Sequence, residues 1–66
     1  MPFINVKMVS GPTPEQKAEF IKRVTQLAAD VLGKNPATTH VVIEEISAES
    51  WGIAGETVAS RKKRGA

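Results

Sequence analysis

The chain has no cysteine and no tyrosine, and only one histidine, His40. Without thiols it has neither a disulfide nor a thiolate zinc site. A single imidazole does not build a metal-ligand cluster, so no metal is expected. Nucleophilic triads lack candidate residues as well, and no glycine-lysine pattern of a phosphate loop occurs. No apolar run approaches the ~20 residues of a membrane span. The opening residues, Met1 to Lys7, lack the basic and long apolar regions of a secretory signal. The expectation is a soluble, cytoplasmic protein with no membrane partner.

What is present is short. Sixty-six residues make one domain at most, and a chain near this length buries only about 60% of its unfolded surface. One such core rarely supplies more than about 3–5 kcal/mol unless disulfides, metals or oligomerisation staple it. With the first two excluded, oligomerisation remains. The hydrophobic content of 41% suits a globular chain.

The formal net charge of +2 is unevenly placed. Four of the nine basic residues are consecutive, Arg61-Lys62-Lys63-Arg64, leaving five against seven acids, 5 − 7 = −2, in the remainder. A nucleic-acid-binding face should carry its charge on a folded surface. Here it stands at the chain end, which reads as a solvated, mobile tail over residues 59–66, following a domain at 2–58. Gly52-Ile53-Ala54-Gly55 has the spacing of a backbone-clamping GXXG loop. It follows a strand and lacks basic residues at its centre, so no nucleic acid is expected.

Pro2 to Val9 alternates as a strand does, with Ile4, Val6 and Met8 on one face and Phe3, Asn5, Lys7 and Val9 on the other. Ser10-Gly11-Pro12 ends it. Thr13, Pro14 and Gln16 then form a complete helix start: cap, first-turn proline and capping-box partner. Phe20, Ile21, Val24, Leu27, Ala28, Val31 and Leu32 make one apolar stripe, and Gly33 suits the stop. This predicts a helix from Pro14 to Leu32. Thr39 to Ile46 reads as a second strand rich in β-branched residues, and Trp51 to Val58 as a short hairpin or tight loop.

Strand, long helix and strand make a βαβ unit of the α+β class with a parallel two-stranded sheet. One helix covers one face. Yet Phe3 and Val9, with Val42 and Ile46, are apolar on the face opposite Ile4, Val6, Met8, Val41 and Ile43. Further subunits should cover what the helix leaves bare.

The ordered set Met1-Pro2, short strand, Gly11-x-Thr13-x-Glu15-Gln16-Lys17, β-branched strand and Gly52-Ile53-Ala54-Gly55-Glu56 resembles the 4-oxalocrotonate tautomerase family over residues 2–58. The resemblance implies a βαβ subunit, assembled as a homo-hexamer, that moves a proton between enol and keto forms of a small-molecule 2-oxo acid. It implies no cofactor. It also implies that Pro2, exposed by loss of Met1, is the catalytic base. A base near pH 7 must be mostly neutral, and burial or nearby positive charge favours a neutral amine.

The family's two carboxylate-gripping arginines are absent. Pro12 and His40 stand at those positions, while Trp51 keeps the aromatic residue before the hairpin. Neither proline nor histidine reproduces a bidentate guanidinium. His40 is either a hydrogen-bond partner of the substrate or a strand residue at a subunit contact. Trp51 is a pocket wall, an interface anchor, or both. Lys7 and Asn5 read as a solvated face more than as polar contacts to substrate. The alternative to an active isomerase is a weak or inactive oligomer of the same fold.

Overall fold

Strands β1 (Phe3–Val9) and β2 (His40–Ile46) lie side by side and parallel, in register from Phe3 opposite His40 to Val9 opposite Ile46. The computed structural model describes residues 2–65. Helix α1 (Pro14–Leu32) joins the strands with the bounds that its caps predict. Thr13 Oγ1 accepts the Gln16 N–H at 3.1 Å, and Gln16 Oε1 accepts the Thr13 N–H at 2.9 Å. At the other end Gly33 takes the left-handed conformation, φ 67°, that favours glycine. The N–H groups of Gly33 and Lys34 close the helix on the carbonyls of Ala29 and Ala28.

Accessibility alternates along both strands as the two-face reading requires. Ile4, Val6, Met8, Val41 and Ile43 are partly covered, whereas Phe3, Asn5, Lys7, His40, Val42 and Glu44 are exposed. Lys17 and Glu45, paired at 2.5 Å, tie the first turns of α1 to the end of β2. Even so, the core of a single subunit is slight. Among the described residues Ala28 is the one buried hydrophobic, while Phe3 is 65%, Leu27 59%, Val31 69% and Leu32 63% exposed. Fully burying such a side chain is worth about 1.5–3 kcal/mol, so covering the exposed parts of these four adds at least as much as one small core supplies.

After a single 3-10 turn at Ala48–Ser50 the chain forms a hairpin, β3 (Gly52–Ile53) with β4 (Glu56–Thr57), antiparallel. Its turn residues Ala54 (φ 53°) and Gly55 (φ 82°) both have positive φ, as a two-residue hairpin turn with the twist of its strands demands.

The expected mobile tail takes a different form. Residues Val58–Lys63 are a helix, α2, capped by Thr57 Oγ1 accepting the Ser60 N–H at 3.1 Å. The Glu56 carboxylate accepts from Ser60 Oγ at 2.8 Å and from the Arg64 guanidinium. Arg61, Lys62 and Lys63 fall in the last turn, where the helix dipole favours cations. Charge repulsion in the basic run is therefore offset by a cap, a carboxylate and a dipole. No helix among the described residues is long and apolar enough to cross a membrane.

Candidate active site

Pro2 precedes β1 by one residue and is already held by the sheet. Its carbonyl accepts the backbone N–H of His40 at 3.0 Å. The pyrrolidine ring fixes φ and leaves no rotamer search, so the position of this residue is set by backbone structure. Pro2 is half-buried. The start of β1, the end of α1 and the start of β2 meet at this end of the fold. A wholly apolar groove of about 250 Å³ opens beside them, lined by Ile4, Val24, Leu27, Ala28, Val31 and Leu32.

His40 stands opposite Phe3 in the register, and both are exposed. The alternation of β2 places the His40 ring on the sheet face turned away from α1. The structure thus joins His40 to Pro2 through the backbone and leaves the imidazole on the open face of the sheet.

Trp51 lies elsewhere. It follows β2 and the Ala48–Ser50 turn, and its carbonyl accepts the Val58 N–H at 2.8 Å. The hairpin and α2 pack on each other and on that turn. A seven-residue strand at ~3.3 Å per residue spans about 20 Å, and the molecule is 44 Å long. Within one subunit Pro2 and Trp51 therefore sit at opposite ends. Any site that contains both is shared between subunits.

Pro12 is at the far end of the sheet from Pro2. It lines a cavity of about 210 Å³ with Met8, Gln16, Lys17, Phe20 and Ile43. This cavity does not reach Pro2, His40 or Trp51.

Two ion pairs across the fold have no local signature in the sequence. Lys7 Nζ bonds Glu44 at 2.7 Å on the open, solvated sheet face. This bond, and a second from Asn5, hold the Glu44 carboxyl below the usual glutamate range. The Lys17 bond likewise lowers Glu45. Both are therefore carboxylates at neutral pH, unsuited to donating a proton. Their partners are 37 and 28 residues away, so only the sheet register reveals them. Among the described residues no three His, Asp or Glu side chains converge as a metal site.

The family model described as Tautomerase enzyme matches residues 2–61. A protein of Dickeya dadantii (strain 3937), named a probable tautomerase, is 51% identical over 65 residues, with 97% of each chain covered. The crystal structure of DmpI from Helicobacter pylori superposes with a TM-score of 0.86 at 42% identity, over 94% of this chain and 97% of that one. A heterohexameric 4-oxalocrotonate tautomerase from Chloroflexus aurantiacus gives a TM-score of 0.85 at 27% identity, covering 89% and 95%. The tautomerase fold, the βαβ topology and the sequence agreement over nearly the whole length coincide: the chain belongs to the tautomerase family.

Proposed function

We propose that the protein is a cofactor-independent isomerase that interconverts the enol and keto forms of a 2-oxo acid, with the amine of Pro2 as its base. The observation that carries this reading is the anchoring of Pro2 by the His40 N–H, one rung ahead of β1. Once Met1 is removed, Pro2 carries a secondary amine whose place is fixed by the sheet. The neutral amine takes the proton of the enol hydroxyl. The electron pair so released spreads onto the carbon chain, and the protonated amine returns the proton to carbon. Base and acid are the same nitrogen at successive moments, which is why one fixed group suffices.

The working unit is a homo-oligomer, most simply a hexamer. The separation of Pro2 from Trp51 requires Trp51 of another subunit as the apolar wall. His40 donates a hydrogen bond to a substrate oxygen. With Pro12 and His40 where the resemblance has arginines, a second carboxylate lacks a bidentate partner. Desolvating such a charge unpaired costs several kcal/mol, so monoacids are preferred to diacids.

The test is ketonisation of phenylenolpyruvate followed by ultraviolet absorbance. Wild type should accelerate it, Pro2→Ala should lose most of the acceleration, and a diacid enol should turn over more slowly. A tenfold preference for the diacid contradicts the specificity. The missing arginines also favour a second reading, an oligomer of this fold with little or no activity. Absence of acceleration on monoacid and diacid enols alike would select it.

A further inference from the structure

Helix α1 runs antiparallel to the two strands, so its C-terminal end arrives where β1 begins and β2 starts. Val31 and Leu32 of its last turn share a groove with Ile4, two residues from Pro2. The negative end of the helix dipole is therefore directed at the Pro2 end of the fold. That last turn contains no basic residue. An anionic substrate approaching Pro2 meets this partial negative charge, and a cation is needed to receive it.

The cations can be surveyed one by one. Lys7 is engaged by Glu44, Lys17 by Glu45, Arg23 by Glu19 and Arg64 by Glu56. Among the described residues Lys22, Lys34, Arg61, Lys62 and Lys63 have no carboxylate partner. Lys22 lies in the middle of α1 and the last three on α2, beyond the other end of the sheet. Within one subunit Lys34 alone is at the Pro2 end, and the α2 cations reach it only from a neighbouring subunit, the alternative that Arg61→Gln tests.

Its backbone is also well held. The Lys34 N–H bonds the Ala28 carbonyl at 3.3 Å. The next residue, Asn35, accepts the Ala37 N–H on Oδ1 at 2.9 Å and the Thr39 hydroxyl on its carbonyl at 2.8 Å. Helix cap and turn thus fix the platform, while the four-carbon stem leaves the ammonium able to follow a ligand.

We propose that Lys34 is the cation that receives the carboxylate of the substrate at Pro2. The inference rests on the reading of Pro2 as the base of an isomerase acting on a 2-oxo acid, and it names the group that recognises the acid. A single ammonium binds one carboxylate as a point charge, without the geometry of a guanidinium fork. Lys34 therefore suits a monoacid.

The experiment compares phenylenolpyruvate with its methyl ester on the oligomeric protein, for wild type, Lys34→Gln, Lys34→Arg, Arg61→Gln and Pro2→Ala. Lys34 is exposed, and circular dichroism and sedimentation confirm that each variant keeps fold and assembly. Lys34→Gln should raise KM for the acid about tenfold, as expected for loss of one charge-assisted contact, and leave KM for the ester unchanged. Lys34→Arg should restore the acid, and Arg61→Gln should change neither. An unaltered acid-to-ester ratio in Lys34→Gln overturns the proposal. Collapse of that ratio in Arg61→Gln instead would place the cation on α2 of a neighbouring subunit. Full activity in Pro2→Ala would remove the base assignment, and the acid-to-ester ratio of Lys34→Gln would still report on Lys34.

Discussion

The backbone N–H of His40 donates to the carbonyl of Pro2 at 3.0 Å, before either residue's side chain is considered. A residue that stands where the resemblance has arginine is thus the one whose backbone anchors the proposed base. Substituting the His40 side chain leaves this bond intact. His40→Ala should therefore keep the fold and the assembly and lower the ketonisation rate by loss of a side-chain hydrogen bond, worth about 0.5–1.5 kcal/mol. A rate equal to wild type would assign His40 to the scaffold alone.

Self-association should be required for stability. Phe3 and Val42 are exposed on one face of the sheet, and Leu27, Val31 and Leu32 on the helix. Sedimentation at micromolar concentration should show an assembly, with six copies the expected number. Phe3→Asp should weaken it, because covering the open face would then bury a charge. A stable folded species of 7.1 kDa contradicts the packing.

The hairpin turn holds one improvable residue. Ala54 has φ 53°, a conformation costing an L residue with a Cβ about 1–2 kcal/mol. Ala54→Asn, placing Asn-Gly at the two positive-φ positions, should stabilise each subunit by about 1 kcal/mol. Thermal unfolding should shift upward. A downward shift would mean that the Ala54 methyl makes a contact between subunits.

Docking of α2 should depend on pH through Glu56. The Arg64 bond, and after it Ser60, hold the Glu56 carboxyl below the usual glutamate range. A carboxyl lowered on folding contributes stability present above its unfolded pKa and lost as pH falls through the folded value. The protection of the Val58–Lys63 amides, taken against the intrinsic exchange rate at each pH, should fall at acid pH below that range, and Glu56→Gln should remove the fall. A pH-independent protection in wild type would show that Thr57 capping alone holds the helix.

Much of this was legible from residue order. The Thr13–Gln16 box and Gly33 set the bounds of α1, and the alternation in β1 and β2 set both faces. Gly52 and Gly55, three apart, pointed to a short hairpin or tight loop, and the structure has the hairpin. The helix at Val58–Lys63 was hidden by its charge run. A weak signal existed: Thr57 three before Ser60, and Glu56 four before Ser60 and eight before Arg64, the spacing of successive helical turns. Lys7 with Glu44 had no local signal, since register alone brings them together. The separation of Pro2 from Trp51 was equally hidden, because strand direction decides it and resemblance to a composite site says nothing of which subunit supplies each part.

The central claim is that the lone pair of Pro2 is the base, and it is tested most directly by blocking that nitrogen alone. Intact mass identifies protein beginning at Pro2 and protein in which the same nitrogen is held in an amide, by retained Met1 or by acetylation. The two forms differ in no side chain from Pro2 onward. Ketonisation of phenylenolpyruvate should be rapid in the first, and in the second slower by the 10²–10⁴-fold, roughly, that general acid–base catalysis supplies. Equal rates in the two forms would contradict the assignment.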